Sequence, residues 1–463
     1  MEDFTDDDYQ MALSKFESML KSNKVYFFDS EEFEEIVYFY MDSGKMNLAK
    51  KAIALSLTQH PTSIPLKLIK VELLIFEKNF KAAEKLLITL ENIDSTFEEI
   101  FIQKASILSK KDNHIDAIVE LQKALELTND FVDVHSLLGM EYLFLEKFDL
   151  ARASFEICIN EDIEDYAALY NIIYCFDMLD KNKEAINFLN SYIDKNPYSE
   201  IAWHQLGRQY CEIENYNEAL RAFDYAILID EQFIGAYLEK AKVLEEQAEF
   251  EEAISNYMVA IRLDDPTAFT YLQIAHCYEE LGENNKAIQF YLKAIDEDPM
   301  LDKAWLLITS LYLDSDNPEK ASYFIRKALE VDPQNFNFVN RLAEINIRLN
   351  LFEEAAVLFK KSIALGDDRI SLFIALVDVL HFIGDFDEAE NILLQAKKTY
   401  HSAPEIYYRL SGINFLLRKT NDALIYLEFA LKADFEYHKV MMDLFPTLFK
   451  NIKVNTLIAK FNS

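Results

Sequence analysis

Four soft-ligand side chains stand out in the sequence first. His204 and Cys211 lie seven residues apart, on one face if the segment is helical, with Arg208 between them, and His276 and Cys277 follow. A metal site is conceivable from such residues. Metal-binding His and Cys normally come in tighter sets, however, and the guanidinium would oppose a cation. We read them as a partly buried thiol and histidines of a binding face, with no metal and no cofactor. The sequence contains no G-x-x-x-x-G-K-[ST], H-E-x-x-H, G-x-S-x-G or C-x-x-C pattern. Its 8 glycines never come closer than the pair Gly366 and Gly384, so a phosphate-cradling loop is not expected. Catalysis has no residue set to carry it, and the chain reads as a non-enzyme.

A second pattern is electrostatic. Glu212, Glu246, Glu280 and Asp314 recur at a constant interval of 34 residues, and Glu245 and Glu279 stand beside two of them. Four residues before each of the first three acids is a base: Arg208, Lys242 and His276. Two readings stay open. The pairs at i,i+4 could neutralise each other, although a base preceding an acid is the weaker orientation, worth a few tenths of a kcal/mol. Alternatively the column is an acidic strip that accepts a basic segment.

The interval of 34 belongs to the whole chain. Alanines fall at 49, 83, 117, 151, 185, 219, 253, 287, 321, 355, 389 and 423 without a single insertion or deletion. The stretch from Glu200 to Phe233 shows what one period contains. Trp203, Leu206, Gly207 and Tyr210 mark one amphipathic helix, Ala219, Phe223 and Ala226 a second, and a polar corner at Glu214-Asn215 separates them. Alanine at the crossing lets two helix axes approach to about 8–10 Å. The facing position is small in many periods, as at Ala105, Gly139, Gly207, Ala241, Ala275, Thr309, Ala343 and Ser411. Four residues after the alanine, Phe155, Phe223, Tyr257, Tyr291 and Phe359 are suited to filling the gap between neighbouring units. Gly44, Gly282 and Gly384 mark corners within a unit, and Pro61, Pro197, Pro299 and Pro333 its end.

These residues resemble the tetratricopeptide repeat family, whose pattern is W-x2-L-G-x2-Y, then A-x3-F-x2-A, then P, over 34 residues. The repeats beginning at Glu200, Ala268 and Asp302 match best, and the repeat from Ile64 departs, with Lys67 at the tryptophan position. The resemblance covers residues 30–437 as twelve repeats starting at 30, 64, 98, 132, 166, 200, 234, 268, 302, 336, 370 and 404. It implies an all-α fold, an α-solenoid of helix-turn-helix units stacked into a right-handed superhelix, with first helices lining a concave groove. Residues 1–29 (Tyr9, Ala12, Leu13, Phe16, Met19, Leu20) read as an N-terminal cap. Residues 438–463, with Leu448, Phe449, Ile452 and Leu457, read as a C-terminal capping segment or, being locally basic, as a docking tail.

In that family ligands are met mainly by positions 2, 5, 6, 9, 12 and 13 of the first helix. Here the early repeats place Leu68, Ile75, Phe76, Met140, Leu143, Phe144, Tyr170, Tyr174 and Met178 at such positions, an apolar and aromatic lining. The middle repeats place His204, Arg208, Glu212, Lys242, Glu245, Glu246, His276, Glu279, Glu280 and Asp314 there, and later repeats mix signs through Arg341, Glu344, Arg348, Asp378, His381 and Arg409. No three consecutive repeats carry the Lys, Asn and Arg set with which some relatives clamp a C-terminal carboxylate.

Composition bounds the partners. With 46 Lys+Arg against 80 Asp+Glu the formal net charge is -34, which repels phosphate backbones and anionic lipid, so neither nucleic acid nor membrane is expected as a partner. Residues 201–300 alone hold 20 acids and 7 bases, against an RNA-reading repeat. The start MEDFTDDDYQ lacks the basic region of a secretory signal, and Cys158, Cys175, Cys211 and Cys277 are too sparse for a disulfide framework, which fits the cytoplasm. The sequence therefore reads as a protein–protein interaction scaffold that holds a peptide or protein segment, with a basic segment as one candidate. The competing class is a peptide-sensing regulator or chaperone-like subunit whose superhelix changes pitch on binding.

Overall fold

The computed structural model describes residues 6–21, 25–264 and 267–461, with side chains from residue 12 onward. Among the described residues there are 28 helices and no strand, an all-α solenoid. The chain divides into two compact units, Met1–Ala236 and Tyr237–Ser463.

In the first unit the helix Asp6–Lys21 precedes a series of helix pairs that runs from Ser30–Asp42 with Met46–Gln59 to Glu200–Glu212 with Tyr216–Ile229. In the second unit the series continues through Ala268–Glu280 with Asn284–Glu297 to Pro404–Leu416 with Thr420–Ala433. Three short helices follow, His438–Leu444, Pro446–Phe449 and Ile452–Phe461, the first break falling at Pro446, which cannot donate to the helical ladder.

The alanine column is the inner surface of every pair. All twelve alanines have no exposed surface, and the residues seven further on, such as Ala226, Ala294 and Ala430, are buried with them. The large rings sit differently from the sequence expectation. A Cβ on Gly207 would lie 2.4 Å from the Phe223 ring, and one on Gly139 2.6 Å from Phe155. The ring therefore lies flat on the small residue of its own helix pair rather than only between neighbours. Phe445 lies against Gly412, one residue beyond the facing position Ser411, where an added Cβ would come within 2.5 Å, so the C-terminal segment covers the first helix of the last pair.

Corners are more uniform than three glycines imply. At the same position of successive periods the backbone turns left-handed, at Lys78, Asp112, Glu146, Asp180, Glu214, Ala248, Asp316, Asn350 and Arg418 as well as at Gly44, Gly282 and Gly384. The next residue's amide then donates back to a carbonyl five residues earlier, as from Asn215 to Tyr210 at 2.9 Å and from Glu249 to Leu244 at 2.8 Å. This is the Schellman closure, which satisfies carbonyls a helix end leaves open. Between pairs, the Trp203 and Trp305 indoles donate to the Pro197 and Pro299 carbonyls, each at 3.0 Å, and tie the end of one pair to the start of the next.

At the N-terminus Phe16 is buried with Phe28, Phe33 and Tyr40, beside Ala12 and Met19, whereas Leu20 is exposed; the Tyr9 side chain lies outside the described residues. At the C-terminus Leu448 and Phe449 are buried but Ile452 is 82% exposed, so it is not a member of that apolar face.

Two outcomes follow. Phe223→Ala should cost about 3–5 kcal/mol, as deletion of a fully buried ring does; hydrogen exchange should show the loss first in Glu200–Glu212 and Tyr216–Ile229. Ala248→Gly should stabilise by about 0.5–1 kcal/mol in urea denaturation, because glycine takes the left-handed corner without the steric cost of a Cβ.

Candidate protein-interaction face

Both helices of a pair contribute buried residues, and the first helices keep other side chains exposed. In the first unit these include Tyr170 and Tyr174, 43% and 48% exposed, with Met140, Phe144 and Met178 also exposed. Phe144 stacks on His114 at 4.7 Å and Tyr174 meets Phe148 edge-on at 6.3 Å, so these rings are held in place. Leu68 and Ile75, expected in the same lining, are instead buried core residues. Arg208 and Glu212 are both exposed, but Arg208 donates to Gln205 Oε1 at 3.3 Å rather than pairing with Glu212. His204 is half-buried and packs edge-on against Phe233 at 5.2 Å.

In the second unit Glu246, Glu280 and Asp314 are exposed. Lys242 turns back to Glu239 at 2.8 Å, leaving Glu246 without it. His276 is the one base that keeps the expected geometry: its Nε2 is 3.8 Å from Glu280, while its Nδ1 lies 2.8 Å from Glu245.

Glu245 and Glu279, read from the sequence as partner contacts, carry internal bonds. Glu245 accepts from the Tyr257 hydroxyl at 3.1 Å and from Gln273 at 3.2 Å in addition to its contact with His276. Glu279 accepts from the Tyr291 hydroxyl at 2.6 Å. Both tyrosines have no exposed surface, and a hydroxyl buried that deeply needs an acceptor. Burial and the adjacent carboxylates raise both phenols well above their usual range. The signal was in the sequence. Where the ring position is Phe, at 155, 223 and 359, the residue twelve earlier is Leu143, Cys211 or Ile347; where it is Tyr, that residue is glutamate.

Three of the four cysteines, Cys158, Cys175 and Cys277, are buried, and Cys211 is partly buried. Burial pushes the Cys277 thiol up to about 12 and those of Cys158 and Cys175 to about 11, which suppresses the thiolate a soft metal would need.

Sequence reasoning missed the strongest electrostatic feature of the first unit. Glu72 and Glu99, on the first helices of adjacent pairs, share one amide: Gln103 Nε2 donates to Glu72 at 3.2 Å and to Glu99 at 2.7 Å. The Tyr38 hydroxyl also donates to Glu72 at 3.2 Å. Among the described residues no Lys, Arg or His lies within ion-pair distance of either carboxylate. Burial first, then repulsion from Glu99, raise Glu72 to about 7 against the weaker opposing effect of Tyr38. Burial likewise raises Glu99. Only the step from one helix to the next, between different positions of consecutive periods, brings these residues together. In the second unit the corresponding acid is answered: Arg409, buried, holds Asp378 with two bonds of 2.8 Å and adds the Tyr437 hydroxyl at 3.2 Å.

Because the Glu72 carboxyl is raised on folding, its contribution to stability is complete below about 4.5 and is lost as pH climbs through about 7. Glu72→Gln should therefore stabilise the first unit at pH 8, by on the order of 1 kcal/mol after screening of a half-buried group, and do little at pH 4.5. Urea titrations at the two pH values check this.

Profiles of the tetratricopeptide repeat family match residues 136–200, 270–299 and 302–335. Anaphase-promoting complex subunit 3 of Schizosaccharomyces pombe is 26% identical over 140 residues, which is 30% of this chain and 21% of that protein. The chain thus spans about a fifth of the length of this curated relative. Among solved structures, a tetratricopeptide repeat protein from Parabacteroides merdae aligns over 60% of this chain and 97% of its own, at 19% identity and a TM-score of 0.36. The C-terminal part of a repeat protein from Cytophaga hutchinsonii aligns over 55% and 99%, at 14% identity and a TM-score of 0.43. Matched profiles, the helix pairs on a 34-residue period and the alanine column agree: residues 136–200, 270–299 and 302–335 carry tetratricopeptide repeats, set in an all-α solenoid of like helix pairs.

Proposed function

We propose that the chain is a protein–protein interaction scaffold that holds a peptide or protein segment along its first-helix face, and that the segment presents basic side chains to exposed acids. Tetratricopeptide repeat proteins are typically non-catalytic, and no cofactor enters the reading. We place twelve repeats over residues 30–437, with 1–29 and 438–463 covering the ends. The recurrence of the left-handed corner at one position of every period supports this division.

The carrying observation is the failure of internal neutralisation. Arg208 and Lys242, the bases placed to offset Glu212 and Glu246, are engaged with Gln205 and Glu239 instead. Glu212, Glu246, Glu280 and Asp314 remain exposed. Glu212, Glu246 and Asp314, which the protein does not pair with its own bases among the described residues, are available to a partner's, and Glu280 keeps only a 3.8 Å contact with His276. Tyr170 and Tyr174, exposed on the first unit, add apolar anchors of the kind that dominate binding energy at interfaces. Glu245 and Glu279 take a supporting part, holding Tyr257, Tyr291 and His276 beneath the contacting residues.

The test is an affinity capture from source cells at low and high salt, with wild type and with Glu246→Lys plus Glu280→Lys. Captured partners should be retained less at high salt, and the double reversal should weaken retention at least tenfold at low salt. Equal capture by both proteins, with the same salt dependence, would leave the acids as surface charge alone.

A further inference from the structure

A cleft of about 250 Å³ opens between the first helices Glu98–Ser109 and Phe131–Phe144, both within the first unit. Ile102, Ser106 and Leu137 line it, Lys110 borders it, and Glu141, held by His114 at 2.8 Å, closes another side. Leu137 is 40% exposed, and Met140 on the next turn is 38% exposed. Gln103 also lines the cleft, and its amide is the one shared by Glu72 and Glu99. A cleft with an apolar floor at Ile102, Leu121 and Leu137 is thus joined through Gln103 to a neighbouring carboxylate pair that the protein supplies with an amide and a phenol but no cation.

We infer that this cleft docks a segment of another protein in which a large aliphatic or aromatic side chain lies about three residues from a lysine or arginine. The inference rests on the reading that the first-helix face takes a partner segment, and it names the chemistry of that segment and its place on the first unit. The apolar side chain fills the space between Ile102 and Leu137. The cation reaches the Glu72–Glu99 pair, about one helix spacing away, a distance that three residues of extended chain cover. Charge complementarity chooses this occupant. An acidic or neutral segment would leave two carboxylates facing each other, while a cation between them offsets their repulsion and desolvation together. The raised Glu72 carboxyl fits the same picture, since a seated cation would favour its ionised form and expel its proton.

A phage-displayed library of peptides randomised over twelve positions tests the proposal on the full chain. Wild-type protein should enrich sequences pairing Lys or Arg with a large apolar residue at that spacing. The strongest binder, synthesised, should lose at least tenfold in affinity for Glu72→Gln plus Glu99→Gln, and comparably for Leu137→Ser plus Met140→Ser. Both variants keep their polar groups bonded or solvent-facing, and unchanged helical circular dichroism certifies the fold. Calorimetry near pH 7 in two buffers of different ionisation enthalpy should detect proton release with wild type and none with the double Gln variant. Enriched peptides that lack a base, or that bind both variants as well as wild type, overturn the inference. If such peptides lose binding to Glu246→Lys plus Glu280→Lys, the scaffold reading survives at the other acids. No enrichment of any sequence overturns both.

Discussion

The interval between the two axes of a helix pair governs the rest of this structure, and a column of methyl groups sets it. With alanine fully buried at every crossing, the second helix comes close enough for a ring four residues later to lie on the facing small residue. At Phe155 and Phe223 that contact leaves no room for a larger side chain at Gly139 or Gly207, and the buried alanine common to every pair keeps the units alike in thickness. Fixed thickness, repeated without insertion, is what allows first helices to follow one another with the same face outward. In a solenoid each unit contacts only its neighbours, so this local distance, and no global core, carries the architecture.

The same contact decides which acids are free. When the ring at the crossing is tyrosine, its buried hydroxyl requires an acceptor, and Glu245 and Glu279 meet that need. An acidic side chain on the first helix is thus part of the packing in two periods and a surface charge one residue later, at Glu246 and Glu280. The excess of acid over base in the composition is therefore not one population. Some carboxylates are hydrogen-bond acceptors for buried groups, some, like Asp378, are clasped by arginine, and Glu72 and Glu99 are left with an amide between them.

Much of this was legible in the sequence. The alanine register marked the helix pairs, their spacing and the family they resemble, because a contact of one required size admits one residue type and repeats it. Corners were legible only at Gly44, Gly282 and Gly384; at Asp112 or Glu214 the left-handed turn is imposed by the Schellman closure on residues that do not advertise it. The tyrosine–glutamate coincidence was visible but needed the crossing geometry to give it meaning. Glu72 and Glu99 were not legible, since they occupy different positions in consecutive periods and meet only through the offset of adjacent helices. Leu68 and Ile75 failed for a related reason: apolar residues at nominal contact positions turn inward where the neighbouring unit offers an apolar surface.

The corners have one more consequence. They are closed by backbone bonds alone, so the side chain at the left-handed position has no structural duty and stands in solvent. In the first unit those side chains include Lys78, Asp112, Glu146, Asp180 and Glu214, and in the second Asp316, Asn350 and Arg418. The first unit therefore carries a fringe of mostly charged groups along the line of its helix turns, and the second, whose corners also include Ala248, Gly282 and Gly384, a fringe that is largely uncharged. Four of the five side chains in the first unit are acidic, so a second copy approaching along that line meets charge of the same sign. The steric strain accepted at the non-glycine corners of the first unit thus places charge in water along one line, where it favours dispersion over self-association.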